Sequence, residues 1–330
     1  MKIGLPLLAV VALAALAWLG CEYLRLQVLF GVVLPYLALL LFLVGFVYRV
    51  VLWGRSAVPF NITTTCGQQK SLPWVKHDRL ENPSSTTGAI GRMILEVLLF
   101  RSLFRNLRTE KRGARISFGS AKWLWLGGLV FHWSLLVVLL RHLRLFLEPV
   151  PVVISGIGAV DGMFQIGVPV LFLTDITILA ALAFLFARRV LAPRIRYLSL
   201  PADYFPLLLL LGVVISGILM RYAFKVDMLQ VKEMMLGLAS LHPQLSMSAG
   251  SALYVHIFLV SVLFAYFPWS KLMHAGGIFL SPTRNMPNNS RQVRHINPWN
   301  YPVQVHSYVE YEDEYREKMR KVGLPLDKEG

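Results

Sequence analysis

Six long apolar runs outline this 330-residue chain: Ile3–Leu19, Val28–Trp53, Lys122–Leu147, Phe164–Ala187, Tyr204–Tyr222 and Leu253–Phe279. Each approaches the roughly 20 mostly apolar residues that carry a helix across a bilayer. The stretches between them differ in character. Ile90–Leu107 sets Ile90, Ile94, Val97, Leu98, Leu103 and Phe104 against Arg92, Arg101 and Arg105 at near-helical spacing. That pattern predicts an amphipathic helix lying on the membrane surface or against a partner. Asn61–Gly67 and Glu81–Gly88 are rich in Thr, Ser, Asn and Gly and read as irregular. After the last run, Ser281–Pro302 is full of Pro and Asn and reads as an extended segment, whereas Tyr308–Val322 mixes acids and bases and reads as a short polar helix. Neither holds enough apolar residues for a core of its own.

The pattern divides the chain into four parts. Residues 1–53 hold two N-terminal transmembrane helices, and 54–121 form a loop with an amphipathic helix. Residues 122–280 form a four-helix membrane domain, and 281–330 are a tail. Composition agrees: 56% of residues are hydrophobic, mean hydropathy is +0.57 and only 15% are charged, against about 25% in a soluble domain. The expected fold class is an all-α integral membrane protein, a six-transmembrane helical bundle.

A net charge of +15 could suggest nucleic-acid binding, but its distribution points elsewhere. The loop Gly54–Ala121 carries 11 Lys/Arg and 4 acids, and the link holding Arg188, Arg189, Arg194 and Arg196 carries no acid. Glu148–Phe164 holds two acids and no base. By the positive-inside rule the first two segments are cytoplasmic and the third is outside, so both termini face the cytoplasm. The expected location is the cytoplasmic (inner) membrane, with lipid as the surrounding partner and no nucleic acid.

Met1–Gly20 resembles a signal peptide, and Gly20-Cys21 hints at a lipoprotein cleavage site, although Trp18 fits poorly there; a retained first helix is expected. Cys21 and Cys66 fall on opposite sides of the membrane in this topology, so no disulfide joins them.

The apolar runs contain four histidines. His132 and His142 lie in the third run with nine residues between them, and His256 and His274 lie in the sixth with seventeen between them. An imidazole inside a bilayer is costly and is a functional hypothesis by default. The third run passes outward and the sixth returns, so His142 and His256 approach the outer face while His132 and His274 approach the inner one. Two ligand pairs result, which suggests bis-histidine ligation of two haems stacked across the membrane. Neutral imidazole is a common axial ligand, and two of them leave no open position for oxygen. The spacing fits imperfectly: on ideal helices the separations are roughly 15 Å and 27 Å, and His132 and His142 point about 80° apart. Gly127, Gly128, Gly276 and Gly277 flank the inner pair, where missing side chains would let a porphyrin approach the backbone. No Cys-x-x-Cys-His motif exists, so the haems would be b-type, held non-covalently.

Other polar groups near the runs have more than one reading. Arg141 and Arg144 flank His142 and could pair with haem propionates, position a quinone oxygen or reach for the interface. Arg221 and Lys225 run against the charge trend of their outer segment and suit propionate or quinone contact. Asp175 falls midway along the fourth run, where it is either a proton relay or a satisfied structural group. His242 lies in the outer loop where a quinone headgroup could enter. His77, His295 and His306 lie in cytoplasmic segments and read as solvated or partner-facing.

The pattern His132-x9-His142 with His256-x17-His274 resembles the respiratory nitrate reductase gamma subunit family, over Trp123–Gly277. The resemblance implies a dihaem cytochrome b that oxidises quinol near the outer face, with His142/His256 on the outer haem and His132/His274 on the inner one. This chain departs from the family in an extra N-terminal span and a longer first cytoplasmic loop. Within that loop, Thr64-Thr65-Cys66-Gly67-Gln68-Gln69-Lys70-Ser71-Leu72-Pro73-Trp74 is similar to the cytochrome b subunits of the dissimilatory sulfite reductase-associated membrane complex. That second resemblance implies menaquinol as donor, within sulfite respiration. It implies four partners: a cytoplasmic heterodisulfide reductase-like iron–sulfur subunit, a periplasmic multihaem cytochrome c, a periplasmic iron–sulfur protein and a second quinone-interacting membrane subunit. It further implies a small sulfur-carrier protein as the eventual electron acceptor. The alternatives are a hydrogenase or formate dehydrogenase cytochrome that reduces quinone, and a haem-free membrane anchor or transporter.

Overall fold

The computed structural model describes residues 2–56, 67–164, 168–245, 250–281, 284–289 and 305–327. Cys66, His295 and most of the Pro/Asn-rich segment lie outside the described residues. Helix α1 spans Gly4–Glu22. Helix α2 spans Leu34–Gly54 and is entered through a π turn at Leu29–Val33, with Pro35 in its first turn, where a missing N–H costs no helical bond. Large apolar side chains on these helices remain open, Leu8 by 66% and Val47 by 60%. A surface that apolar suits hydrocarbon rather than water.

From Gly67 onward, the long loop that follows carries structure of its own. Ser85 Oγ accepts the Gly88 N–H at 3.2 Å and starts α3, Thr86–Leu99. Phe100 then adopts the left-handed conformation (φ 50°, ψ 45°) and separates α3 from the short α4, Arg101–Arg105. The expected amphipathic helix Ile90–Leu107 therefore ends eight residues early. Residues beyond it form an antiparallel hairpin, β1 (Leu107–Arg112) and β2 (Arg115–Ser120), with Arg112 opposite Arg115. Gly113, at φ 63°, permits the two-residue turn. This hairpin apart, the described residues are mostly helical, which fits the expected all-α integral membrane protein.

Helix α5 (Lys122–His142) leads through a 3₁₀ turn to α6, Val152–Asp161. Then come α7 (Leu173–Leu191), α8 (Pro193–Leu198) and α9 (Pro201–Ile218), which continues as a π turn at Leu219–Ala223. Helix α10 (Met228–Ala239) begins on an Asp227 cap and is followed by α11 (Gly250–Tyr266). Two 3₁₀ turns then lead to α12, His274–Leu280. In the tail, α13 (Tyr308–Lys321) carries a Ser307/Glu310 capping box, as expected for a polar helix needing a strong start.

Among the described residues five helices are long and apolar enough to cross a membrane: Gly4–Glu22, Leu29–Gly54, Lys122–Leu145, Pro201–Ala223 and Gly250–Trp269. The expected fourth span is α7, and its Asp175, Arg188 and Arg189 set it apart from those five. Its start also differs. The run was expected from Phe164, but residues 168–170 form a turn and the helix begins at Leu173, after an extended Phe172 (φ −84°, ψ 136°). A proline at position 169 is incompatible with an uninterrupted helix there.

Helix α9 is central, packing on α1, α7 and α11. On one side Leu210 joins Phe131, Ile178, Ala181 and Leu182. On the other, Tyr204 and Leu209, both fully buried, join Val10, Ala17, Leu253, Phe258 and Leu259. In lipid, close packing and interhelical hydrogen bonds replace the hydrophobic drive between helices. Gly127 of α5 illustrates the first: a Cβ there would stand 2.5 Å from the Phe184 ring of α7. The Ser134–Thr177 hydroxyl pair, 2.7 Å apart, illustrates the second.

Candidate functional site

The four histidines separate into the two expected pairs. His132 of α5 and His274 at the start of α12 stand edge to face, with ring centroids 5.9 Å apart. His142 and His256 are near enough to interact electrostatically. The spacing problem is resolved at Pro268. The run Leu253–Phe279, expected as one span, breaks into two 3₁₀ turns, with Ser270 extended (φ −118°, ψ 177°) and its hydroxyl accepting the Leu272 N–H. His274 thus does not lie on a straight continuation of α11.

All four rings are fixed in the same way. His132 Nδ1 stands 2.7 Å from the Gly128 carbonyl, His142 Nδ1 2.7 Å from that of Val138, and His274 Nδ1 2.8 Å from that of Lys271. A carbonyl can only accept, so each Nδ1 carries the proton. His256 Nδ1 lies 3.0 Å from Ser216 Oγ, which itself donates to the Val213 carbonyl at 2.9 Å and so accepts from the ring. In the neutral imidazole each Nε2 then holds the lone pair, and none of the described residues donates to it. Histidines that ligate metals are commonly oriented in this way, by a hydrogen bond from the ring nitrogen that faces away from the metal.

The backbone near the rings meets only part of the glycine expectation. Gly127 is occupied by Phe184 and Gly276 by Phe46, with 2.5 and 2.9 Å to an added Cβ. Gly277 faces Trp53, so these three serve helix packing rather than close porphyrin approach, while at buried Gly128 an added Cβ would meet only Leu103, at 4.0 Å. The glycine that matters at the other pair is Gly217, where a Cβ would lie 3.1 Å from His256 Cε1. Among the described residues no three of His, Cys, Asp or Glu converge. A bis-histidine haem needs only two protein ligands, because the macrocycle supplies the remaining donors. Paired imidazoles, each with Nδ1 committed to a protein oxygen, therefore fit the group.

Beside His142 lies a buried ion cluster. Arg141, with its side chain 7% exposed, reaches Asp161 at 2.9 Å and Asp175 at 3.1 Å. Asp161 also accepts from the Thr174 N–H and hydroxyl at 2.9 and 2.6 Å. Asp175 accepts from the Tyr222 hydroxyl at 2.7 Å. It sits in the first turn of α7 rather than midway along a span, a consequence of the late helix start. The guanidinium groups of Arg141 and Arg221 both stand over the Phe172 ring, 3.7 and 4.3 Å from its centroid, with Arg144 at 5.9 Å. Arg221 stands in the π turn and donates to the Val170 carbonyl at 3.1 Å. Among the described residues, neither Arg144 nor Arg221 forms an ion pair with a carboxylate. Sequence reasoning missed Asp161, Phe172, Ser216, Gly217 and Tyr222 as members of the site. Asp161 registered only as loop charge, and Tyr222 carried no signal beyond standing next to Arg221.

At the other pair, the loop and tail meet. Asn288 donates from its backbone to the Pro83 carbonyl (2.7 Å) and from its side chain to Asn82 (2.7 Å), and it accepts from Gln69 (3.1 Å). Buried Glu81 binds Arg101 and Arg105 at 2.8 and 2.7 Å. The described start of the tail is thus part of a joint polar module. Of the remaining histidines, His77 bonds the Asn82 carbonyl at 2.7 Å inside that module, while His242 is exposed and bonds the Ser240 carbonyl at 2.8 Å.

A helical membrane bundle presenting paired, uniformly oriented imidazoles defines a cytochrome b-like protein. Residues 94–294 match the nitrate reductase gamma subunit family, and the chain belongs to it. It is also similar to proteins described as Hdr-like menaquinol oxidoreductase cytochrome b-like subunit. The one from Archaeoglobus fulgidus is 46% identical over 279 residues, covering 82% of this chain and 83% of the relative. The one from Archaeoglobus profundus is 41% identical over 275 residues, covering 81% of each.

Proposed function

We propose that this protein is a six-span, dihaem cytochrome b of the inner membrane, with both termini cytoplasmic, that oxidises menaquinol. It passes the electrons inward to a cytoplasmic heterodisulfide reductase-like iron–sulfur subunit. The observation that carries the reading is the common state of His132, His142, His256 and His274: each commits Nδ1 to a protein oxygen and presents a lone pair at Nε2. His142 and His256 would hold the outer haem, and His132 and His274 the inner one. Haem, when bound, supplies a one-electron carrier with no open position.

The residues around the outer pair have separable tasks. Arg141 is already neutralised by two carboxylates, so Arg221 and Arg144 are the better partners for propionates or a quinone oxygen. The Tyr222–Asp175 pair offers an acceptor for a quinol proton near His142. The relatives' names supply menaquinol and the heterodisulfide reductase link. The periplasmic multihaem cytochrome c, the periplasmic iron–sulfur protein, the second quinone-interacting subunit and the role in sulfite respiration rest on the loop resemblance.

Pyridine haemochrome assay of the purified protein is expected to return two b-type haems per chain. Redox titration of His142→Ala and His256→Ala should lose one component, and His132→Ala and His274→Ala the other. No haem would overturn the reading, and loss of one component by both His142 and His274 variants would overturn the pairing.

A further inference from the structure

The turn between α3 and α4 sits directly against the inner histidine pair. Phe100 occupies it in a left-handed conformation, uncommon for a residue with a bulky side chain. Its ring meets the His132 imidazole edge to face, with centroids 4.9 Å apart and planes at 84°. Such unfavourable backbone states persist where the surroundings over-determine them, and they cluster at functional sites. Here the surroundings are specific. Two tryptophans of α5 grip the last carbonyls of α3: Trp125 donates to Leu99 at 2.7 Å and Trp133 to Leu98 at 3.0 Å. These are carbonyls that a helix end leaves without an internal partner. Across the turn, the Glu96 carboxylate accepts the Ser102 N–H at 2.9 Å. The other oxygen of Glu96 binds Arg284 of the tail at 2.8 Å. A continuous chain of contacts therefore runs from the tail, through Glu96 and the turn, to the ring of His132.

We propose that Phe100 is a positioning residue for the inner haem ligand, and that Arg284 and Glu96 couple the tail to it. This rests on the dihaem reading above. The phenyl ring holds His132 in its orientation and keeps water off that side of the imidazole. An apolar shell around a haem ligand governs local dielectric, and with it the potential. A partner that binds the tail at residues 284–289 thereby acts on the inner ligand without touching it.

The test uses the haem-loaded protein. Phe100→Gly removes the ring but suits the left-handed backbone, and Arg284→Gln breaks the ion pair. Both are expected to lower the midpoint of the component that His132→Ala removes, because water favours the more charged oxidised state. The expected change is roughly fivefold in its reduced-to-oxidised ratio, about 40 mV for one electron. The other component and the haem content should hold, and Arg284→Lys should keep the parental value. An inner midpoint unchanged in both variants overturns the proposal. Failure of the dihaem reading shows separately, as absent haem in the parent. In that case the rate at which diethyl pyrocarbonate modifies His132 decides: a several-fold rise in Phe100→Gly supports the ring's shielding role, and an unchanged rate overturns it.

Discussion

Arg141→Leu isolates the most heavily buried electrostatics in the bundle. The parent side chain sits between Asp161 and Asp175, and the three are 7%, 4% and 14% exposed. Removing the guanidinium leaves Asp161 with the Thr174 donors and Asp175 with Tyr222, but neither with a counter-charge. Stranding one partner of a buried ion pair costs about 3–5 kcal/mol. Loss of the contact with the Phe172 ring, 3.7 Å from the guanidinium carbon, adds up to about 2 kcal/mol. A fall in melting temperature on the order of 10 °C follows. The control is the neutral triple variant Arg141→Leu/Asp161→Asn/Asp175→Asn, which should recover most of the loss because no charge is left unpaired. Thermal unfolding in detergent, followed by retention on size exclusion and by the haem absorbance, measures both. A single variant that melts with the parent, or a triple variant no better than the single one, would refute the claim that the cluster's ionic pairing holds these helices together.

Other substitutions separate the roles further. Gly217→Val should push His256 off its ligand position, given 3.1 Å to an added Cβ, and cost the outer component while sparing the inner one in a redox titration. Tyr222→Phe and Asp175→Asn should each slow menaquinol oxidation at least tenfold with both haems retained; a parental rate in Tyr222→Phe would remove the pair from the proton path. Arg221→Gln should lower the outer midpoint or raise the quinol KM, whereas no change in either assigns Arg221 to packing on Phe172. Deleting residues 308–330 should weaken co-purification of the iron–sulfur subunit with the haem spectrum intact, and loss of haem instead would make the tail part of the cytochrome core.

What could be read from sequence was what depends on local composition. Apolar runs marked the long helices because lipid demands unbroken hydrophobic length, and the four histidines stood out because nothing polar is neutral there. Pairing followed from chain direction alone. Contacts between distant segments were less legible. Asp161 and Arg141 are separated by a short helix and a turn, so their pairing left no spacing signal. Asp175 was misplaced because Leu173–Leu191 and the turn before it are equally apolar. The hairpin at Leu107–Ser120 followed a helical pattern that ended at Phe100, and a phenylalanine is a residue that rarely announces a left-handed stop. Gly127 drew attention through its proximity to His132, whereas Gly217, remote in sequence from any histidine, did not.

The break at Pro268 and Ser270 also bears on biogenesis. The pair assigned to the outer site sits on α5 and α11, His142 as the last residue of the one and His256 inside the other, so both ligands are in place once those helices have inserted. The inner pair needs His274, which lies beyond the break and heads a seven-residue helix unable to span a bilayer on its own. On the dihaem reading, haem capture would be staged: the site at His142 and His256 would mature within the membrane, and the other would wait for the segment beyond Trp269 to bring His274 against His132. A chain truncated after Trp269 and released into the membrane is expected to hold one haem, and it should be the one at His142 and His256.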